Sequence, residues 1–316
     1  MNRRECLALL AAGASSPLWL SGCTLRDDLV FGVHPWPGYE PLYLAREFGW
    51  LPEEVTLHHG RNAGESLTRM KRGELDGAAL TLDEVLKARS DGLPLTVIMV
   101  LNDSVGADSV MARPEIRRLE ELAGARIAVE PSAVGSLVLH QLREAAGLSV
   151  DDLDVVDMPP DRQLAAWRED EIDAAITYEP HASKLLREGA LTLYDSSQFP
   201  DLILDVLAVR RDRIQWRASA LEALVLAHFR GLEHVRVNPE DAMRRIAAWR
   251  ELSPDEVRAS FAGLELPGPA VNRRYLDGKL LTAAAALNEV MVAGGLLDSA
   301  DDFDQLIDDR YLPGEP

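Results

Sequence analysis

The fold of this chain follows from residues 33–51, which read VHPWPGYEPLYLAREFGWL. A short apolar run at 29–33 leads into a loop rich in Pro, Gly and aromatic residues, and a helix-like run follows. This order predicts a strand, a rigid loop and a helix. Because open α/β sheets bind their ligands at such strand ends, we expect Trp36, Tyr39 and Glu40 to border a binding site. The two aromatic rings would stack on a planar or cationic ligand, or else form a hydrophobic lid over their own lobe.

Strand-like and helix-like segments alternate along most of the chain. The predicted strands are residues 29–33, 55–58, 77–80, 95–101, 109–112, 126–130, 155–158, 174–178, 191–194 and 203–210. The predicted helices are residues 41–48, 63–72, 82–90, 137–146, 161–169 and 180–188, with a strongly helical region from 219 onward. Such alternation predicts an α/β fold with a mostly parallel sheet and helices on both of its faces.

The alternating segments fall into two sets, which predicts two α/β lobes. Arg113-Pro114 separates the sets, and segments near 103–110 and 203–210 would cross between the lobes as hinge strands. Closure of such a hinged clamshell around a small ligand is a motion that this architecture permits. The expected boundaries are 29–105 and 208–316 for lobe one and 106–207 for lobe two.

The N-terminus has the features of an export signal. Arg3 and Arg4 precede a broken apolar stretch that ends at Leu-Ser-Gly-Cys23. This pattern resembles a bacterial lipoprotein signal, so we expect a signal peptide at 1–22, lipid attachment at Cys23 and a short tether at 23–28. An ordinary signal peptide is the alternative, and residues 2–7 also partly match a twin-arginine signal.

Charge and composition exclude several classes of protein. The chain has 52 acidic and 33 basic residues, a net charge of -19, which disfavours binding to nucleic acid or to anionic lipid. Its two cysteines, Cys6 and Cys23, both lie near the N-terminus, so the body of the chain can form neither a disulfide nor a thiolate metal site. Histidine spacings typical of metal sites and a P-loop are also missing, so we expect neither a metal nor a cofactor.

Four blocks of the sequence resemble ABC-transporter substrate-binding proteins, in the branch that handles nitrate, sulfonates, taurine and the thiamine pyrimidine. The fourth block, EIDAAITYEP, matches the family's I-D-A-x-x-x-x-E-P pattern. The blocks are residues 36–51, 72–84, 122–136 and 171–180. The resemblance implies a periplasmic-binding-protein type II clamshell, with two lobes joined by two hinge strands.

The second and third blocks supply further candidate ligand contacts. Thr81 and Asp83 follow a predicted strand, and Ser132, Gly135 and Ser136 lie where a strand passes into a helix. Backbone N–H groups and the positive end of that helix would hold an anionic or carbonyl group of a ligand. The alternative is that the side chains merely cap their helices.

The last candidates lie at the end of the fourth block and in the returning strand. Tyr178 and Glu179 would face the cleft if the family register holds, although Glu179 could instead cap the helix that Pro180 begins. Asp205 lies among apolar residues and therefore needs a partner or water. It is either a site residue or an acid exposed at a sheet edge.

Together these observations predict an extracytoplasmic solute-binding lipoprotein of an ABC importer, without catalytic activity. It would act as a monomer, anchored only through its lipid, and deliver a small molecule to permease and ATPase subunits. The aromatic and acidic candidates favour a planar or cationic nitrogen compound resembling the thiamine pyrimidine, whereas the helix start at 132–136 suits nitrate or a sulfonate. A ligand-sensing lipoprotein would fit the same sequence features. A pyrimidine-biosynthesis enzyme fits them less well, because the cysteine-rich motif of the family's enzymatic relative is missing.

Overall fold

The computed structural model describes residues 28–214 and 217–314. The strands are β1 Leu29–Val33, β2 Val55–His59, β3 Gly77–Thr81, β4 Leu95–Ser104, β5 Asp108–Ala112, β6 Arg126–Val129, β7 Asp154–Asp157, β8 Ala174–Tyr178, β9 Leu191–Asp195, β10 Leu204–Arg210 and β11 Leu264–Glu265. The helices are α1 Glu40–Glu47, α2 Ala63–Lys71, α3 Leu82–Ser90, α4 Ala133–Ala146, α5 Pro160–Arg168, α6 His181–Arg187, α7 Ala218–Val237, α8 Pro239–Arg250, α9 Pro254–Ser260, α10 Pro269–Arg274 and α11 Leu280–Ala293. The predicted lipid-attachment residue, Cys23, lies outside the described residues.

The strands form two sheets. One has six strands in the order β11-β4-β10-β3-β1-β2, and the other has five in the order β7-β6-β8-β5-β9. Within them β1 pairs in parallel with β2 and β3, and β6 with β7 and β8. The predicted α/β class is therefore confirmed, but the expectation of mostly parallel strands is not, because four strand pairs are parallel and five are antiparallel among the described residues. The sequence did not predict that β10 inserts antiparallel between β3 and β4, and β5 antiparallel between β8 and β9.

The chain crosses between the sheets twice. β4 ends at Ser104 in the first sheet and β5 begins at Asp108 in the second, with Gly106 at a φ of 113° between them. The return runs through the 3-10 turn Ser196–Gln198 to β10, which pairs along its whole length with β4. The first crossing is thus a short connection at 105–107 within the segment predicted at 103–110. The strand predicted at 203–210 is confirmed as β10, and the return crossing lies just before it.

Burial on both faces explains why the central strands are so apolar. Every residue of β3, β4 and β5 is buried, as expected for strands that have helices on either side. One predicted boundary is wrong: the helix expected to begin at residue 137 begins at Ala133, with Ser132 as its N-cap. Residues 133–136 therefore form the first helical turn instead of a loop.

The C-terminal helices pack around the six-stranded sheet. The apolar stripe of α7, predicted to be core, is buried from Leu221 through Leu232. The end of α8 brings Trp249 and Arg250 against the start of α1. In the part of the chain that the structure describes, no helix has both the length and the apolar character needed to span a membrane.

Candidate functional site

A small cavity lies between the two sheets, where the ends of strands from both of them meet. It has a volume of about 40 Å³, and a water molecule needs roughly 10–15 Å³ of such space. The cavity therefore has room for only a few water-sized groups. The cavity is lined by His34, Trp36, Ala63, Gly64, Thr81, Glu84, Asp108, Glu130, Ser132, Val134, Tyr178, Ile203 and Asp205.

The loop after β1 is fixed to the sheet by a chain of hydrogen bonds. Trp36 Nε1 donates to Asn102 Oδ1 at 2.9 Å, and Asn102 Nδ2 donates to Asp205 Oδ2 at 2.8 Å. The Tyr39 hydroxyl donates to the other oxygen of Asp205. Only glycine fits at position 38, because a Cβ there would lie 1.6 Å from Asn102 Oδ1. The network holds the indole of Trp36 at the cavity wall and occupies both oxygens of Asp205.

The start of α3 contributes a capping box to the same wall. The Glu84 carboxylate accepts from the backbone N–H of Thr81 at 2.9 Å, which is the reciprocal half of that motif. Both residues also line the cavity. Asp83, between them, is fully buried without lining it. Capping and site roles therefore coincide at Thr81.

The start of α4 forms the opposite wall. The Ser132 hydroxyl accepts from the Gly135 N–H at 3.1 Å, so Ser132 caps the helix while lining the cavity. A Cβ at Gly135 would lie 2.3 Å from the Glu130 carbonyl oxygen, which explains the glycine. Glu130 itself follows the end of β6, and its side chain faces the cavity.

An aromatic contact spans the cleft. The rings of Trp36, beside the six-stranded sheet, and Tyr178, at the end of β8 in the other sheet, meet edge to face with centroids 5.6 Å apart and an interplanar angle of 85°. Edge-to-face geometry is favourable for aromatic pairs. The contact joins the two halves of the fold directly above the acidic side chains.

Asp108 connects the cavity to the crossing segments. Its carboxylate accepts from the Ser104 hydroxyl at 2.6 Å, and that hydroxyl lies 2.8 Å from the hydroxyl of Ser196. The Ser196 oxygen in turn accepts from the Gly106 N–H at 2.7 Å. A cavity-lining carboxyl is thus bonded to both places where the chain passes between the sheets.

Burial strongly perturbs the four carboxyls that line the cavity. It raises the pKa of Asp205 to about 8 and that of Asp108 to about 7. The pKa of Glu84 is raised well above its usual range by burial and by the neighbouring Asp83, and burial also raises the pKa of Glu130. Each charged carboxylate is disfavoured because it lacks water and a compensating cation.

The positive charges that could balance these acids are absent from the cavity wall. Burial lowers the pKa of His34 to about 4, so its ring is neutral near pH 7. Among the described residues, neither a lysine nor an arginine lines the cavity. The wall therefore presents a cluster of acids without a protein counterion, and it would gain most from a ligand that brings a positive charge.

The structure brings together five of the eleven predicted ligand contacts at the cavity wall: Trp36, Thr81, Ser132, Tyr178 and Asp205. Tyr39 and Asp83 lie behind that wall. Gly135 lines an adjoining space of about 10 Å³, and Ser136 lines a larger groove that opens beside the cavity.

Two predicted contacts lie elsewhere. Glu40 is buried against the end of α8, where it accepts from Trp249 Nε1 at 2.9 Å and from Arg250 Nε at 2.6 Å. Glu179 accepts from the Ser183 hydroxyl at 2.9 Å and from its N–H at 3.3 Å. Its place at the start of α6 matches the capping role weighed as the alternative.

Sequence reasoning missed Glu84, Asp108, Glu130, His34 and the supporting Asn102. For two of these residues, the sequence contains a local pattern that could have identified them. Glu84 stands three residues after Thr81, which is the spacing of a capping box, and Glu130 lies at the end of a predicted strand, where α/β folds collect ligand contacts. His34, Asn102 and Asp108 are brought to the cavity only by the pairing and crossing of distant strands.

The chain is similar to proteins that are named as binding proteins. A taurine-binding periplasmic protein of Escherichia coli strain K12 is 22% identical over 270 residues, covering 79% of this chain and 82% of that protein. The periplasmic aliphatic sulphonate binding protein SsuA from Escherichia coli shares the fold, with a TM-score of 0.73 at 18% identity over 92% of this chain and 95% of that one.

The same fold also occurs in an enzyme. The desulfurization enzyme DSZB superposes with a TM-score of 0.65 at 18% identity, covering 91% of this chain and 98% of that chain. The family model described as NMT1/THI5 like matches residues 36–242, well over half of the chain. The chain therefore belongs to the NMT1/THI5-like family and has the periplasmic-binding-protein type II fold.

Proposed function

We propose that this protein is the solute-binding component of an ABC importer, that it works in the periplasm, and that its ligand is a small cationic nitrogen compound. The ligand would enter between the two sheets, the cleft would close, and the closed complex would deliver it to a permease. The family and its named relatives support the transport role. Attachment to the membrane through Cys23 belongs to the same proposal and rests on the lipoprotein-like signal.

The observation that carries the choice of ligand is the set of four uncompensated carboxyls at the cavity wall. Burying an isolated carboxylate is costly, which is why each of these groups holds its proton more tightly than usual. A bound cation would lower all four pKa values at once, because an opposite charge nearby favours the ionised form. A bound anion would instead raise these pKa values further, because a like charge nearby disfavours the ionised form.

The aromatic residues support a flat or nitrogen-rich ligand. Trp36 and Tyr178 offer ring edges and faces at the roof of the cavity. A cation close to such a face is attracted by about 0.5–2 kcal/mol, and more when water is excluded. A protonated aminopyrimidine such as the thiamine pyrimidine combines a planar ring with a cationic nitrogen and satisfies both features.

A sulfonate or nitrate ligand is the second candidate. It is favoured by the named relatives, which bind taurine and aliphatic sulphonates, and by the α4 N-terminus, where Ser132 lies at the cavity wall. The cost is that Glu130, Glu84 and the deeper carboxyls must stay protonated beside the anion, because a like charge disfavours their ionised form. Taurine itself carries an ammonium group, so it would satisfy the acids at one end and the helix start at the other.

We propose a binding role rather than catalysis. The chain has cysteines only at positions 6 and 23, both in the region read as an export signal, so the cavity has no thiol nucleophile. His34 lines the same cavity, but among the described contacts it is hydrogen-bonded to none of the four acids. Turnover of a bound compound would contradict this proposal.

A thermal-shift and calorimetric screen tests the proposal. The purified chain would be mixed with methylammonium, the thiamine pyrimidine, taurine, ethanesulfonate or nitrate. A ligand at about 100 times its Kd adds about 2.7 kcal/mol of stability, which is a rise in Tm of roughly 5 °C or more. We expect this from the amine and the pyrimidine. Stabilisation by nitrate and ethanesulfonate alone would refute the choice of ligand and establish the second candidate.

A further inference from the structure

The acidic cavity continues into a second, much larger space. This outer groove has a volume of about 680 Å³, against about 40 Å³ for the cavity. Gly64, Glu84, Glu130 and Ser132 line both spaces, so these four residues form the passage between them. Gly64 and Pro131 are exposed at the mouth of the groove, which therefore reaches the solvent.

The size of the inner cavity limits what it can enclose. At roughly 10–15 Å³ for each water-sized group, it holds only about three such groups. The adjoining space beside Tyr178 and Gly135, of about 10 Å³, has room for no more than one. In the closed cleft, any further part of a ligand must leave through the passage between Gly64 and Ser132.

The outer groove differs in chemistry from the cavity. Its charged side chains are Glu84 and Glu130 at the passage, the exposed Asp157, and Lys87, whose Nζ is held by Asp91 at 2.9 Å. Most of its remaining wall is apolar. The apolar lining residues are Leu67, Pro131, Ala133, Pro159, Met291 and Leu296. An uncharged, apolar group would gain free energy there by leaving water.

From this juxtaposition we infer that the ligand is an organic cation with an apolar arm. Its compact cationic head lies among the four carboxyls, and the arm passes between Gly64 and Ser132 into the outer groove. The inference rests on the proposed capture of a cation and adds the second half of the ligand. It assigns recognition to residues of α2, α4 and α11 that do not line the acidic cavity.

A series of amines tests this inference by calorimetry. Methylammonium has the head alone, butylammonium adds three methylenes, and 3-hydroxypropylammonium has the length of butylammonium with a polar end. A fully buried methylene improves affinity about fourfold, so we expect butylammonium to bind at least about tenfold more tightly than methylammonium. The hydroxylated amine should lose most of that gain.

Two variants locate the arm. A Cβ at Gly64 would contact only Asn62 Oδ1, at 3.5 Å, among the described atoms. Gly64→Val should therefore fold and narrow the passage. Leu296→Ser removes part of the apolar wall, and Leu186→Ser makes the same change at an exposed leucine outside both spaces. We expect both groove variants to lower butylammonium affinity about five- to tenfold. Leu296→Ser should leave methylammonium affinity unchanged, whereas Gly64→Val, at a residue that also lines the cavity, should lower methylammonium affinity less than butylammonium affinity. Leu186→Ser should change neither.

The outcomes separate this inference from the proposed function. If methylammonium binds but butylammonium binds no more tightly, the apolar arm is refuted and cation capture stands. If butylammonium still binds more tightly than methylammonium by the same factor in both Gly64→Val and Leu296→Ser, the assignment of the arm to the outer groove is also refuted. If none of the amines binds, cation capture fails and the inference fails with it. Circular dichroism melts of each variant verify that affinity is compared between folded proteins.

Discussion

Replacing Asp205 by Asn should stabilise the ligand-free protein and weaken its binding of cations. The pKa of Asp205 is raised by burial from 3.8 to about 8, so the folded state holds this proton more tightly than the unfolded chain does. The free energy of unfolding must therefore fall as the pH rises from about 4 to about 8. Asn fills the same space and has no charge to bury; its Oδ1 can accept from Asn102 Nδ2, and its Nδ2 can donate to the Tyr39 hydroxyl oxygen.

The size of both effects follows from the buried charge. One pKa unit corresponds to about 1.4 kcal/mol, so we expect Asp205→Asn to raise the free energy of unfolding by about 2–4 kcal/mol near pH 8 and by little near pH 4. A cation about 4–5 Å from a carboxylate is attracted by about 4 kcal/mol at an effective dielectric constant of 20. The other acids would still attract the cation, so we expect Asp205→Asn to cost about 2–3 kcal/mol of binding free energy. This loss raises the Kd about 30- to 150-fold.

Urea unfolding at several pH values and calorimetry with butylammonium would measure these effects. Glu40→Gln is the matched control, because Glu40 is an equally buried carboxyl paired with Arg250 outside the cavity. Breaking that pair should cost about 3–5 kcal/mol of stability and leave amine binding unchanged. An Asp205→Asn protein that is less stable than the parent near pH 8, or that binds the amine equally well, would refute the reasoning.

Three further predictions concern the cavity and its roof. Trp36→Ala should weaken amine binding at least about tenfold by calorimetry while the melt remains a single cooperative transition; unchanged affinity would remove the loop from the site. Gly38→Ala should lower the free energy of unfolding, measured in urea, by more than about 2 kcal/mol because its Cβ would meet Asn102. Gly64→Ala should leave that free energy unchanged or raise it by about 0.5–1 kcal/mol. Equal effects of the two substitutions would contradict the difference in packing. Cation binding near pH 7 should release protons from Asp205 and the other acids, so the measured binding enthalpy should vary with the ionisation enthalpy of the buffer; an enthalpy independent of the buffer would show that they stay protonated.

Local sequence patterns predicted the elements well because each signal acts over a few residues. The strand, rigid loop and helix around Trp36 were correctly placed, as were the caps at Thr81 and Ser132 that were weighed against a site role. The prediction that Glu40 contacts the ligand remains untested; in this structure its carboxylate accepts from Arg250 Nε and does not line the cavity.

Non-local pairing accounts for what the sequence could not predict. Asn102 reaches the site only because β10 inserts beside β4 and places Asp205 opposite it. Asp108 begins an ordinary-looking strand, and its role depends on how the chain crosses between the sheets. Which acids share a cavity is set by this three-dimensional arrangement, which adjacent residues do not encode.

The hydrogen bonds between Asp108, Ser104 and Ser196 connect the wall of the cavity to the two crossings between the sheets. A positive charge near Asp108 would favour the ionised form of its carboxyl. That carboxyl is hydrogen-bonded to Ser104 at the end of β4 and, through the Ser104 hydroxyl, to Ser196, which lies before β10. The same few atoms therefore border the cavity and hold the two crossings between the sheets. If the protein captures a cation as proposed, the ligand would act on groups bonded to both crossings, and the resulting arrangement of the two halves would be the surface that a permease contacts.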